Sequence, residues 1–363
     1  MPGRLKVGVI FGGRSGEHDV SLRSAQAVMQ AMDPTRFEVV PIGITREGCW
    51  LTGGDPLRRL AATSRLALNG GQNAGDSAAR ESDESSGGSL DIVGTGWARG
   101  LDVLFPMVHG PMGEDGTIQG LLELAQIPYV GAGVLGSAVA MDKAVSKCLF
   151  AQAGLPVPPW FSVARRDWQN DAATIRDRVR NEIGYPCFTK PANLGSSVGI
   201  SKVHHAGELD ACIEEAFQYD RKIVIERGID ARELEVGVLG NDEPQASVVG
   251  EILPCHEFYD YEAKYVDDRS QLVIPAEIEP ETAALARSLA TEAFRVTDGA
   301  GMARVDFFLE RSTGRLYLNE LNTIPGFTAA SMYPKLWEAS GLPLTQLISR
   351  LIDLALERHA GMR

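Results

Sequence analysis

The chain has 363 residues, 44% of them hydrophobic and 7% aromatic, with a formal net charge of −13. That length exceeds one ordinary domain and calls for two or three, each with a usual apolar core. The negative balance disfavours broad binding to nucleic acid or to an anionic membrane, although local Lys and Arg clusters can still hold phosphate. Five scattered cysteines (Cys49, Cys148, Cys187, Cys212, Cys255) include no Cys-x-x-Cys pair. They argue against a disulfide framework or zinc site and suit a reducing cytosol. Five residues separate Lys6 from Gly12, too few for a signal-peptide core. The longest apolar run, about 130–141, is broken by glycines and short of the ~20 residues that span a bilayer. The expectation is a cytoplasmic protein with neither membrane nor nucleic acid as partner.

Lys6–Phe11 reads as a buried strand running into Gly12-Gly13. Val20, Ala27, Val28, Ala31 and Met32 recur at helical spacing over 17–32, and Phe37–Ile44 reads as a second strand. Residues 69–97 are rich in Gly, Ser and acid and cannot bury enough surface to offset their ordering entropy, so a mobile insertion is expected. Leu101–Val108 reads as a strand, 118–124 as a helix, Tyr129-Val130 as a short strand and 135–153 as one longer helix. Such alternation predicts a doubly wound parallel sheet, with ligands beyond the carboxyl ends of its strands. Gly12–His18 and His109–Gly116 both occupy that place. After Pro156 the pattern changes to shorter helices (175–183, 209–217) and strands (187–190, 199–203, 223–226). Longer strands at 233–239 and 246–252 follow, then an aromatic stretch at 258–265, a helix over 281–296 and a closing amphipathic helix over 342–359.

The most informative segments are Arg304-Val305-Asp306 and Glu320-Leu321-Asn322, either side of a Ser312-Thr313-Gly314 turn. Side chains two apart on a strand share a face, so a hairpin here brings Asp306, Glu320 and Asn322 together with Arg304 beside them. Two carboxylates and an amide form an all-oxygen set that suits Mg²⁺ bound together with substrate phosphates. A polar edge hairpin facing water is the competing reading. Lys190 leads into Gly195-Ser196-Ser197-Val198-Gly199, a small-residue loop whose backbone N–H groups can approach phosphate oxygens. The same loop fits the Gly-x-Ser-x-Gly nucleophile elbow, which requires a helix directly after it, whereas a strand is expected here. Glu226 and Glu233 can accept hydrogen bonds from ribose hydroxyls or an adenine amino group, or simply be solvated. Lys264, within 258–265, suits a lid that excludes water from a nucleotide, with a partner-binding patch as the alternative. Gly326 can offer a bare N–H to a developing oxyanion, with Arg304 as second donor.

Seven segments in order, VIFGGRSGEHDVS, HGPMGEDGTIQG, MDKAVSK, KPANLGSSVG, DYEAKY, GMARVDFF and NELNTIPGFT, resemble the signatures of D-alanine–D-alanine ligases of the ATP-grasp superfamily. The likeness runs from Val7 to about His359, leaving out 69–97. It implies an α/β and α+β fold: an N-terminal doubly wound parallel-sheet domain (1–127), then a two-part ATP-grasp fold (128–232 and 233–363). It implies ATP-dependent joining of two D-alanines through a D-alanyl phosphate, with ADP and phosphate released, for peptidoglycan precursors. Lys143, Lys190 and Lys264 would contact the phosphates beside Ser196 and Ser197, with Glu226, Arg227 and Glu233 around the adenosine. Asp306, Glu320 and Asn322 would hold two Mg²⁺, with Mn²⁺ as a substitute and a monovalent cation as an optional addition. Glu17, helped by His109, would pair with the first ammonium, and Ser196 and Tyr265 would link to Glu17 in a triad that fastens the lid. Arg304 and Gly326 would serve the oxyanion, and Ser331 the carboxylate of the second D-alanine. A homodimer is expected. Arg227 departs from the lysine common beside that acid, and Ile324 from the usual leucine or serine. A D-alanyl-D-lactate or D-alanyl-D-serine ligase and a non-catalytic nucleotide-binding protein are the alternatives.

Overall fold

A strand buried on both faces needs an apolar side chain at nearly every position, and β1 (Leu5–Gly12) supplies one through Val7, Val9, Ile10 and Phe11. The structure is a computed structural model, and it describes residues 3–62, 98–253 and 271–361. The expected insertion at 69–97 and the stretch carrying Lys264 and Tyr265 lie outside the described residues. After α1 (His18–Ala31) comes β2 (Phe37–Ile44), then the edge strand β3 (Trp50–Thr52) and the short α2 (Pro56–Ala61). With β4 (Val103–Met107) these strands form a sheet of order β3-β2-β1-β4, parallel except for β3. Tyr129 makes only an isolated bridge to Leu104, so the expected strand there is not extended.

The single helix expected over 135–153 is two. After α3 (Thr117–Leu124), α4 (Val134–Met141) and α5 (Lys143–Gln152) are separated by Asp142. Its backbone is extended, and its carboxylate accepts the N–H groups of Ala144 and Val145 at 3.1 Å each. An aspartate in that role starts a helix rather than continuing one, while the apolar run on both sides masks the break.

The second sheet is antiparallel. β5 (Trp160–Ala164), which sequence periodicity did not reveal, precedes α6 (Arg165–Asn170) and α7 (Ala172–Arg178), the latter running on as a π turn to Ile183. β6 (Cys187–Pro191) and β7 (Ser201–Val203) pair as a hairpin, then α8 (Leu209–Tyr219) leads to β8 (Lys222–Arg227), giving the order β5-β8-β6-β7. Because β7 returns against β6 straight after the 192–200 loop, the helix that a nucleophile elbow requires is absent.

The third sheet orders β11-β10-β9-β12-β13, from β9 (Ala231–Gly240), β10 (Gln245–Leu253), β11 (Gln271–Val273), β12 (Gly301–Glu310) and β13 (Leu316–Asn322). Ala303, Val305, Phe307 and Leu309 face Ala286, Ala290, Ala293 and Phe294 of α9 (Pro280–Val296). By the strand's two-residue period, Arg304 and Asp306 then face the other way. The closing helices α10 (Met332–Ala339), not anticipated, and α11 (Leu344–Gly361) pack Tyr333, Trp337, Leu347 and Leu351 into the same cluster as Val9, Phe11 and Leu22. The end of the chain therefore completes the core beneath its first sheet.

His109 is a polar counterpart of that packing. Its Nδ1 lies 3.0 Å from the Ile324 carbonyl and its Nε2 3.2 Å from the Ser24 hydroxyl. A carbonyl only accepts, so Nδ1 carries the proton and Nε2 accepts from Ser24. Burial pushes the imidazole below its ordinary value of 6.5, which keeps it neutral in this arrangement.

Two outcomes follow. Asp142→Ala should cost about 1 kcal/mol in urea unfolding, and Asp142→Asn, which keeps the cap, should cost less. As pH falls, the unfolded chain protonates its histidine first, so stability complete above about 6.5 is lost as pH drops. The urea midpoint of the wild type should therefore fall more steeply between about pH 7 and pH 5.5 than that of His109→Gln.

Candidate active site

The register of the third sheet builds the site. Across β12 and β13, Arg304 stands opposite Asn322 and Asp306 opposite Glu320. On the other side of β12, Asp306 stands opposite Glu235 of β9. One face thus gathers Glu235, Arg304, Asp306, Glu320 and Asn322. The Arg304 guanidinium donates to both Asp306 oxygens at 2.7 and 2.6 Å and lies 3.1 Å from Glu235. Burial works against its charge, but Asp306 and Glu235 outweigh that and raise its pKa well above the usual value. The Asp306 side chain is only 14% exposed, which sets aside the reading of a hairpin with its charges in water. Asn322 Oδ1 accepts the Ile324 N–H at 2.9 Å. The register shifts between Asp306 and Phe307, leaving Asn319 as an extra residue of β13. Its carbonyl accepts Lys147 Nζ at 3.1 Å.

Lys143, at the start of α5, joins this face to the second sheet. Its Nζ is 3.1 Å from Glu320 and donates at 3.1 Å to the carbonyl of Leu194, in the β6–β7 loop. The tip of that loop, Ser196 and Ser197, takes left-handed backbone angles (φ 51° and 58°), a conformation costly for residues other than glycine. There the Ser196 hydroxyl hydrogen-bonds Glu17, just before α1. Glu17 makes no side-chain cap of its helix. Gly110 has φ 75°, and a Cβ there would fall 2.5 Å from Glu17 Oε2, so the left-handed backbone beside that carboxylate favours glycine.

Two cavities of about 480 and 460 Å³ result, and they share Lys143, Ser196 and Glu320 as a common wall. The first also meets Glu17, Arg304, Asn322, Gly326 and Ser331. The second meets Lys190, Ser197, Glu226, Arg227, Glu233 and Asp306. The sequence-predicted residues within the described regions therefore converge, except His109, which lines neither cavity and spends both ring nitrogens on Ile324 and Ser24. Arg227 turns its Nε to the Ile183 carbonyl at 2.9 Å.

Three residues were missed by sequence reasoning. Glu235 is one period beyond Glu233 on the same strand face. Lys147, 1% exposed, pairs with Glu226, whose other oxygen takes Lys190 Nζ at 2.8 Å. Burial alone would raise the Glu226 pKa, but the two ammonium groups hold it below the usual carboxylate value. Glu114 accepts the Gly110 N–H at 2.6 Å. Burial, and then the charge of Glu17, push its pKa well above the usual range. The HGPMGEDGT segment contained the only available hint of Glu114, and the two-residue step from Glu233 the only one of Glu235.

Comparison with known proteins identifies the family. Residues 6–132 match the family described as D-ala D-ala ligase N-terminus, and residues 149–353 match D-ala D-ala ligase C-terminus. The D-alanine--D-alanine ligase of Geobacillus kaustophilus is 53% identical over 98% of this chain and 96% of its own length. That of Heliobacterium modesticaldum is 51% identical over 97% of this chain and 95% of its own. Among solved structures, the D-alanine-D-alanine ligase of Coxiella burnetii superposes with a TM-score of 0.79 at 33% identity, covering 99% of this chain and 96% of that one. The VanG D-Ala:D-Ser ligase of Enterococcus faecalis gives 0.80 at 36%, covering 97% and 100%. On the strength of both matched halves and these full-length relatives, the chain belongs to the D-alanine–D-alanine ligase family.

Proposed function

We propose that the protein joins two D-alanines at the expense of ATP, releasing ADP and phosphate, as a step in building peptidoglycan precursors. The observation that carries this reading is the Asp306–Glu320 pair, facing across a hairpin at the wall between two cavities, with Lys143 alongside. The full-length likeness to ligases with that activity supports it. A D-serine acceptor is the second reading, favoured by the likeness to VanG. The three sheets, within 5–107, 160–227 and 231–322, support a division into units 1–127, 128–232 and 233–363.

The residues fit a divalent cation. Asp306 and Glu320 offer hard oxygens on one face, with Arg304 beside the first and Lys143 beside the second. Among the described residues no third His, Cys, Asp or Glu completes a metal cluster, so Asn322 and substrate phosphates would fill the remaining positions. Mg²⁺ bound there would neutralise charge on the transferred phosphoryl group.

The rest of the work falls to the chain itself. Lys190 and Ser197 lie where polyphosphate would run along the second cavity, with Glu226 and Glu233 toward the adenosine. Glu17, held by Ser196, presents a carboxylate to the ammonium of the first D-alanine. The carboxylate of that first D-alanine, a poor electrophile, takes the terminal phosphoryl group of ATP as ADP leaves, and the neutral amine of the second D-alanine attacks the resulting acyl phosphate. Arg304 and the Gly326 N–H stabilise the oxyanion that forms, and phosphate departs. The preorganised Arg304 pays little reorganisation because Asp306 and Glu235 already fix it. His109 contributes by locking the segment before Gly326 against α1. Among the described residues no helix is long and apolar enough to cross a membrane.

Asp306→Ala and Glu320→Ala should each lower ATP-dependent phosphate release with D-alanine on the order of 100-fold or more. A coupled phosphate assay reads this, with circular dichroism as the check on folding. Wild-type rates in either variant would remove the metal site from the proposal.

A further inference from the structure

Two lysines are buried among the described residues, Lys147 and Lys190, and both ammonium groups meet the carboxylate of Glu226. Lys190 and Glu226 line the 460 Å³ cavity, whereas Lys147 lines neither cavity. In the β6–β8 register Lys190 stands opposite Val224, two residues from Glu226 and therefore on the same face. Lys147 arrives from α5 instead, one turn after Lys143. Its Nζ also donates at 3.1 Å to the Asn319 carbonyl, beside Glu320.

A single carboxylate that holds two ammonium groups has one more than its charge requires. Burial works against the charge of Glu226, and Lys147 does more than Lys190 to hold its pKa below the usual carboxylate value. An ammonium has three donors, and Lys190 gives one of them to Glu226 at 2.8 Å. Lys147 is fixed on two sides, by Glu226 and by the Asn319 carbonyl, and is 1% exposed. Of the two, the lysine that borders the cavity is thus also the one less needed by Glu226.

We propose that Lys147 is the resident counterion of Glu226, and that Lys190 exchanges Glu226 for a phosphate oxygen when the nucleotide enters. The inference rests on the ligase reading above, which puts phosphates beside Lys190 and adenosine beside Glu226. If Lys147 were absent, the departure of Lys190 would leave a buried carboxylate with no cation, a costly state. Lys190 would then stay on Glu226, or Glu226 would take up a proton and lose an acceptor oxygen. In either case the nucleotide loses a partner. With Lys147 in place, Lys190 moves while Glu226 stays ionised and fixed. Lys147 is a positioning residue, acting on the nucleotide through Glu226 from behind the cavity wall.

The test reads binding and turnover separately, by calorimetric titration with Mg-ADP and by steady-state phosphate release with D-alanine. Lys147→Met should raise the ATP KM and the Mg-ADP Kd about tenfold. Its kcat should change by less than about twofold, with the D-alanine constants unmoved. Lys147→Arg, which keeps the charge, should recover part of the loss. The decisive comparison is made in Glu226→Gln, whose neutral side chain needs no counterion. Adding Lys147→Met there should raise neither nucleotide constant further, the non-additivity of a residue that acts through another. An equal rise in that background, or a wild-type ATP KM in Lys147→Met, would overturn the proposal. So would a loss of kcat at unchanged ATP KM, which would mark the Asn319 contact and the placing of Glu320 as the role of Lys147. Should Lys147→Met lose its fold, Lys147→Arg alone and combined with Glu226→Gln makes the same comparison. A wild type that binds Mg-ADP but releases no phosphate with D-alanine would refute the ligase reading instead, and the binding comparison would still decide the part of Lys147.

Discussion

Glu235, Asp306 and Glu320 project from adjacent strands onto one face, and without Arg304 and Lys143 they would repel one another in a half-buried site. Like charges this close raise each other's pKa and destabilise the sheet that carries them, unless cations stand between. Arg304 is fixed, forked onto Asp306 and braced by Glu235. Lys143 is a long, flexible side chain arriving from another element. The first balance is held within the sheet, while the second is supplied from α5. A sheet face of this kind is stable when empty and receptive to cations, two demands that a face of carboxylates alone could not meet together.

Lys143 also fixes where the second sheet lies. By donating to the Leu194 carbonyl while pairing with Glu320, it ties the β6–β7 loop to the third sheet. The loop continues to Ser196, which reaches the first sheet through Glu17. Two side chains, Lys143 and Ser196, therefore connect all three sheets around the cavities. The strained angles of Ser196 and Ser197 lie at this junction, where the surrounding contacts over-determine the backbone, rather than at an exposed turn.

The sequence made parts of this legible for a simple reason. A two-residue period on a hairpin closed by a Gly-containing turn specifies which side chains share a face, so Arg304, Asp306, Glu320 and Asn322 could be placed together beforehand. Ordered motifs did the same for Glu17, Lys143, Lys190 and Glu226. What stayed hidden depends on neighbours distant along the chain. Glu235 joins the face only through the β9–β12 register, and Lys147 meets Glu226 only once α5 packs across β8 and the bulge at Asn319 exposes a carbonyl. The break at Asp142 escaped because apolar periodicity runs through it, although the cap was present as a residue type. β5 and α10 are short, and short elements owe more to packing than to pattern.

The distribution of charge finally accounts for how an acidic protein handles a polyanion and two zwitterions. Repulsion by a net charge of −13 is a long-range matter and is largely screened beyond ~8 Å at physiological salt. Inside the cavities the local groups decide. Glu226 is held ionised by two ammonium groups where an acceptor for hydrogen bonds is wanted. Glu17 supplies negative charge where an ammonium would rest, and Glu114 behind it is pushed toward its neutral form, which prevents the pair from repelling each other. Lys190 and Lys143 line the cavity where phosphate would lie in the proposed reading. Under that reading, the ammonium and phosphate regions each carry the sign opposite to the substrate group they would meet.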